Sequence, residues 1–219
     1  MKSNLLSKLM MPLVAILFST ASAFAQTGPA LRKPAPPLPS SLQPAAPADP
    51  AAAGHTLSPA EKYFSDVELT NQDGQKLRFY SDVLKDKVVI INTFFTTCTS
   101  VCPPMNRNLE KIQDALGDRV GKDVFLVSIS VDPETDTPLK LKDYARRFHA
   151  RPGWLFLTGK KENVDWALYK LGQYVETKDD HSTIIIIGNE PKGLWKKAFG
   201  LAKAEELMRI VEDVLNDKL

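Results

Sequence analysis

Cys98 and Cys102 are the two cysteines of the chain, and three residues separate them in the stretch CTSVCPP. Such a pair can form a disulfide, act as a redox-active dithiol, or supply two thiolate ligands to a metal ion. A structural disulfide here would close a very small loop, and the stabilisation from loop closure is smallest for small loops. The spacing therefore favours the redox and metal interpretations.

A third metal ligand would come most naturally from histidine, of which the sequence has three. His55 lies in a segment rich in proline and alanine, and His149 ends an amphipathic pattern, as a surface residue does. His181 comes directly before an apolar run, and the carboxylates of Asp179 and Asp180 are expected to orient its ring. His181 is therefore the candidate ligand, and a solvated turn histidine is the alternative.

The elements around the cysteines predict how they are positioned. The run 87–95 is apolar and β-branched, which is typical of a strand buried on both faces. A helical pattern follows over 106–118, and two prolines after Cys102 are tolerated in a first helical turn. Cys98 is thus placed in the loop and Cys102 at the helix start. Unpaired N–H groups there are expected to lower the pKa of both thiols.

Further strands and helices alternate along residues 58–219, which have the size of one domain. Thr137 is the predicted N-cap of one helix, and Pro138 its first residue. The other predictions are a hairpin within 64–79 with its turn at 71–74, a strand at 123–132, a helix at 137–150, a strand at 153–159, a helix at 161–174, a hairpin at 182–200 and a C-terminal helix. This order predicts an α/β, three-layer thioredoxin-like fold with an N-terminal β-hairpin extension.

The first 57 residues predict export. Residues 1–25 have lysines, a short apolar run and the pattern Ala23-Phe24-Ala25, which together indicate a cleaved signal peptide. The apolar run is too short to span a bilayer, and an uncleaved N-terminal anchor is the alternative. Residues 26–57 read as a Pro/Ala-rich linker without a core of their own. We expect a periplasmic protein with no membrane span in its mature form.

Charge excludes one class of partner. The formal net charge is +2, and removal of Lys2 and Lys8 with the signal peptide brings it near zero. No basic patch interleaved with aromatic residues is present, so a nucleic-acid partner is not expected.

Three motifs together resemble the Sco/SenC family of exported, thioredoxin-like copper proteins. They are TFFTTCTSVCPPM, SISVDPETDTP and DHSTIIIIG, and they occur in the family's order. The resemblance implies that Cys98, Cys102 and His181 bind Cu(I) or Cu(II). It also implies a role in assembling the binuclear copper centre of cytochrome c oxidase subunit II, by copper delivery or by reduction of its cysteines. Many members have an N-terminal membrane anchor, and this chain departs from them in its cleavable signal and long linker.

The residue chemistry agrees with copper, because thiolate and imidazole ligands suit this metal. A structural zinc site would need a fourth ligand, which the sequence does not supply. Asp132 and Glu134, on the loop after the second buried strand, either line the site or cap the turn before the next helix.

Three other functions remain open at this stage. A metal-free thiol–disulfide oxidoreductase, supplied with electrons by a thiol reductant, would use Cys98 and Cys102 as its redox-active thiols. Thioredoxin-type enzymes carry a cis-proline where this chain has Asp180-His181-Ser182, which favours a metal. A thiol peroxidase would carry Thr or Ser three residues before its reactive cysteine. This chain has Phe95 at that position, which argues against this function. The third alternative is a binding or interaction protein with vestigial cysteines. The presence of all three motifs argues against it.

Overall fold

The computed structural model describes residues 57–217, so the predicted signal peptide and all but the last residue of the predicted linker lie outside the described residues. These residues form five α-helices and seven strands in the following order: α1 Pro59–Phe64, β1 Glu68–Asn71, β2 Lys76–Arg78, β3 Val88–Phe94, α2 Cys102–Leu116, β4 Val124–Ser130, α3 Pro138–Arg147, β5 Trp154–Thr158, α4 Lys161–Lys170, β6 Ile184–Asn189, β7 Leu194–Phe199 and α5 Ala204–Leu215. Within 57–217, no helix is long and apolar enough to cross a bilayer.

The strands form one mixed sheet in the order β2-β1-β5-β4-β3-β6-β7. The central strands β3, β4 and β5 are parallel, and β6 pairs antiparallel with both β3 and β7. The predicted N-terminal hairpin, β1 and β2, extends the sheet because β1 pairs antiparallel with β5, with Thr70 opposite Thr158. This topology confirms the predicted thioredoxin-like fold with its hairpin extension.

Helices cover both faces of the sheet and bury two hydrophobic layers. Along β3, Ile90 and Phe94 pack in the layer that contains residues of α2, α3 and α5. Val89 and Ile91 point the other way, into the layer that contains residues of α1 and α4. Successive side chains of a strand alternate between faces, so a strand covered on both sides needs an uninterrupted apolar run. This explains the pattern that predicted β3.

Local signals in the sequence set several element boundaries. The Thr137 hydroxyl accepts the N–H of Lys140 at 3.4 Å, and Pro138 is the first residue of α3, as predicted. In the hairpin turn, the Asn71 side chain accepts two backbone N–H groups of the turn, and Gly74 has a φ of 79°. A side-chain acceptor at the turn's first position and a glycine at positive φ are what such a turn requires.

Three parts of the chain in particular differ from the prediction. Helix α4 ends at Lys170 and not at residue 174, because Gly172 adopts a φ of 65°. The N–H groups of Gly172 and Gln173 then bond back to Tyr169 and Leu168, the pattern that terminates many helices. Helix α1 and a π-helical turn at 79–84 were not predicted, since six residues are too few to show a helical period.

Candidate metal centre

The sheet brings the cysteine loop and the segment before β6 to the same edge. β3 and β6 are antiparallel, with Val88 opposite Asn189 and Ile91 opposite Ile186. The last residues of β3 therefore lie beside the first residues of β6. The cysteines follow β3 in the chain and His181 precedes β6, so the fold places both at this edge.

Each cysteine occupies a distinct position in the loop between β3 and α2. The Cys98 N–H donates to the carbonyl of Phe95 at 3.1 Å, and this contact bends the chain back after the strand. Cys102 is the first residue of α2, with Pro103 and Pro104 in the first turn as predicted. Both cysteines are free thiols, 7% exposed for Cys98 and fully buried for Cys102.

His181 completes a compact group of three possible ligands. Its Nε2 lies 3.1 Å from the Sγ of Cys102, and the ligand atoms of Cys98, Cys102 and His181 all lie within 4.8 Å of one another. In residues 57–217, no fourth cysteine, histidine or carboxylate joins this group. The three residues predicted from the sequence therefore meet at one place.

The His181 ring is oriented by a backbone carbonyl. Its Nδ1 lies 2.9 Å from the carbonyl oxygen of Lys178, which can only accept a hydrogen bond. Nδ1 therefore carries the proton, and the lone pair of Nε2 faces the cysteines. The expectation that Asp179 or Asp180 orients the ring is wrong, because the Nδ1–H group donates to the Lys178 carbonyl, and Asp180 accepts the hydroxyl of Thr177.

The two thiols differ in acidity. Burial by itself raises the pKa of Cys98, but hydrogen bonds from the Cys102 side chain and from backbone N–H groups of Ser100 and Cys102 outweigh it, so this pKa is lowered. Burial, followed by the hydrogen bond to Cys98, raises the pKa of Cys102 well above its ordinary value. The prediction that the helix N-terminus lowers both pKa values is therefore wrong for Cys102, because desolvation dominates there. Burial also lowers the pKa of His181, which favours the neutral form of its ring.

This donor set fits a soft metal ion. Cys98 is the readier thiolate, His181 offers a neutral nitrogen, and Cys102 would lose its proton on binding a metal. Two sulfurs and one imidazole suit copper, whereas structural zinc sites have four ligands.

Asp132 and Glu134 do not join the ligand group. The Asp132 carboxylate pairs with the Lys178 ammonium at 2.7 Å, and its carbonyl accepts the N–H groups of Thr135 and Asp136. Of the two alternatives for this loop, the structure supports the turn before α3.

Asp136 holds the start of the cysteine loop and was not among the predicted site residues. Its fully buried carboxylate accepts the N–H and the hydroxyl of Thr96 and, at 2.6 Å, the hydroxyl of Ser130. Thr96 lies two residues before Cys98, so Asp136 anchors the start of the cysteine loop to the loop after β4. The signal was present in the motif SISVDPETDTP, but the motif did not show which carboxylate is buried.

A buried hydrogen-bond network fixes helix α2 against the sheet. The Trp154 indole donates to Ser128 at 3.0 Å, and the Ser128 hydroxyl donates to Asn92 at 2.6 Å. Asn92 donates to Asn106 in α2, and Asn106 donates to the Tyr144 hydroxyl, both at 3.0 Å. All five side chains belong to residues at most 2% exposed. Because every member has a partner, the network holds the first turns of α2 in one position.

The other two histidines do not join the site. His149 lies after α3, and its exposed ring contacts Glu110, in agreement with its interpretation as a surface residue. His55 lies outside the described residues.

Comparisons with known proteins identify the family of this chain. The family model SCO1/SenC matches residues 55–216, which is most of the chain. A SCO2-like protein of Rickettsia conorii is 35% identical over 103 residues, which cover 47% of this chain and 48% of that protein. The match thus spans about half the length of this curated relative.

Two solved structures show the same fold with sequence similarity. Arabidopsis thaliana ScoI with copper bound has a TM-score of 0.57 and 26% identity, covering 68% of this chain and 96% of that one. BsSco, described as a member of the Sco family of cytochrome c oxidase assembly proteins with a disulfide switch, has a TM-score of 0.57 and 26% identity, covering 68% and 91%. The family model extends over all the elements that position Cys98, Cys102 and His181, and this chain therefore belongs to the SCO1/SenC family.

Proposed function

We propose that this protein binds one copper ion through Cys98 Sγ, Cys102 Sγ and His181 Nε2 and serves the assembly of a respiratory copper centre. The observation that carries this proposal is the convergence of three soft or borderline donors within 4.8 Å at a largely buried site. The copper-bound ScoI structure of Arabidopsis thaliana supports it, because that protein has the same fold and belongs to the same family.

Each of the three ligands has a different role in the binding and release of copper. Cys98, the more exposed thiol with the lowered pKa, makes the first contact with the ion. Cys102 must then lose its proton, which copper favours because a metal ion binds the thiolate, and the lone pair of His181 Nε2, 3.1 Å from Cys102 Sγ, supplies the third ligand. A set of three ligands leaves room for a ligand from a receiving protein, so copper can be handed over.

The destination of the copper is part of this proposal. Cytochrome c oxidase subunit II is the client we infer, supported by the description of BsSco as belonging to a family of oxidase assembly proteins. We place the mature protein, from Gln26 onward, in the periplasm, with 26–57 as linker and 58–219 as the copper domain. The N-terminal pattern supports this placement, and the mass of the exported protein tests it.

The decisive experiment is a titration of the reduced mature protein with Cu(I) and with Cu(II). We expect a complex of one copper per chain and, for Cu(II), a sulfur-to-copper charge-transfer band. Cys98→Ser or Cys102→Ser should abolish binding, and His181→Ala should weaken it sharply and remove the band. His149→Ala is the matched control, since this histidine is exposed and does not belong to the ligand group. An unchanged spectrum in His181→Ala would remove His181 from the site.

A second candidate function, reduction of a client disulfide, is favoured by the asymmetry of the two thiols. The Cys98 thiolate would attack one sulfur of the client disulfide and expel the other as a thiolate. Cys102 would then attack the Cys98 sulfur of this mixed disulfide, and its proton would pass to the departing client thiolate. The second client thiolate then leaves, the client has gained two electrons, and a Cys98–Cys102 disulfide remains for an external thiol reductant.

Trapping distinguishes this second function from copper delivery. Cys102→Ser should accumulate a mixed disulfide between Cys98 and an oxidised peptide of the client's copper-binding segment, whereas Cys98→Ser should not. Failure of the wild-type protein to reduce this peptide, together with copper binding at one ion per chain, would leave copper delivery as the function.

A further inference from the structure

Lys178 contacts His181 through its backbone carbonyl and Asp132 through its side-chain ammonium. Its carbonyl oxygen accepts the hydrogen bond from His181 Nδ1 at 2.9 Å, and its Nζ pairs with Asp132 Oδ2 at 2.7 Å. The same residue that sets the orientation of the histidine ring is therefore tied to the loop that follows β4.

Hydrogen bonds fix the loop that carries Asp132. The Asp132 N–H donates to the Ser130 hydroxyl at 3.0 Å, and the Asp132 carbonyl accepts two N–H groups of the turn before α3. The Asp132 side chain is 14% exposed, against 39% for that of Lys178. A carboxylate held in this way gives the lysine a fixed partner.

Phe95 contacts both the Lys178 ammonium and the His181 imidazole. The Lys178 Nζ is 5.2 Å from the centre of the Phe95 ring, and the His181 ring meets the same ring edge to face at 5.2 Å. Phe95 directly precedes the loop that carries Cys98. The lysine and the histidine thus share contacts with one aromatic ring, which precedes Cys98 by three residues.

We propose that Lys178 is a positioning residue of the metal centre, which holds His181 Nε2 against Cys102 by tying the 178–181 segment to Asp132. The inference rests on the proposed copper function for its consequence. The two cysteines belong to a loop and helix fixed by the core, whereas His181 follows a single helical turn outside the sheet. His181 is therefore the ligand that leaves first, and the ion pair controls how often it leaves.

The expected effect is moderate, because the lysine is partly exposed. A partly exposed ion pair changes an equilibrium constant by a factor of a few, and salt screens the attraction between its charges. Removing the charge of Lys178 should therefore raise the rate of copper release to a chelator about 3- to 10-fold. Raising the ionic strength should speed release from the wild type and have little further effect on the variant.

The test uses Lys178→Met, which keeps an apolar stem over Phe95 and removes the charge. Lys170→Met is the matched control, because Lys170 also packs its ammonium on aromatic rings, at 4.4 Å from the centre of Trp166, on helix α4. Asp132→Asn and the double variant complete a double-mutant cycle. The readouts are the ring nitrogen shifts of His181 and the amide exchange of 179–181 in the copper-free protein, and copper release in the loaded protein.

We expect Lys178→Met and Asp132→Asn to shift the His181 ring signals, to speed amide exchange at 179–181 and to speed copper release equally, with no further effect in the double variant. Lys170→Met should match the wild type. Wild-type ring signals and amide exchange in copper-free Lys178→Met would overturn the inference. If the wild type bound no copper, the proposed function would fail, and the copper-free readouts would still decide the role of Lys178.

Discussion

Asp136→Ala tests whether a buried carboxylate holds the cysteine loop. The side chain accepts hydrogen bonds from three donors, namely the N–H and hydroxyl of Thr96 and the hydroxyl of Ser130, and its residue is fully buried. Hydroxyl groups can turn to other acceptors, but the Thr96 N–H cannot. Leaving a buried donor without a partner costs about 1–3 kcal/mol, and a small cavity adds to this cost.

Removal of the charge offsets part of the loss, because a buried carboxylate is expensive to desolvate. We therefore expect Asp136→Ala to lower the free energy of unfolding by about 3 kcal/mol. Asp136→Asn keeps the shape and one acceptor oxygen, so about 1 kcal/mol is expected. For a domain of this size, 1 kcal/mol corresponds to about 2–4 °C in the melting temperature.

The assay is urea unfolding of the copper-free protein, followed by copper titration under conditions where each variant is folded. Asp165→Ala is the control, since Asp165 is also a buried carboxylate but pairs with Lys161 on helix α4. Asp136→Ala should lose copper affinity as well as stability, whereas Asp165→Ala should lose only stability. A loss below 0.5 kcal/mol for Asp136→Ala, well under the range for an orphaned buried donor, would refute this reasoning.

Three further outcomes are expected. An alkylating reagent should modify Cys98 before Cys102, because Cys98 is more exposed and has the lowered pKa; peptide mass spectrometry would expose equal rates as a contradiction. Gly188→Ala should destabilise the domain by about 2–3 kcal/mol in urea unfolding, because a Cβ there would lie 2.2 Å from the Trp195 ring; unchanged stability would mean that the ring moves freely. Asn106→Ala should cost about 2–4 kcal/mol by the same assay, because it interrupts the buried network, and a cost near zero would show that its partners re-pair.

Much of the fold could be predicted from residue patterns, because they report local or one-dimensional requirements. The apolar run of β3 reflects burial on two faces, and Thr137 and Pro138 mark the start of α3 because caps act within one turn. The chemistry of two thiols three residues apart is likewise visible in the sequence. Short elements such as α1 were not predictable, since tertiary packing stabilises them.

The sequence by itself determined the order of the seven strands and the four longer helices, the family resemblance and the identity of three candidate ligands. Only the tertiary structure decided which atom orients His181, which thiol has the raised pKa and which acidic side chain is buried beneath the cysteine loop. These properties depend on desolvation and on hydrogen bonds between segments far apart in the chain, as with Asp136 and Thr96, 40 residues apart. A sequence motif records which residue types are present, whereas acidity and orientation depend on what the folded chain packs around them.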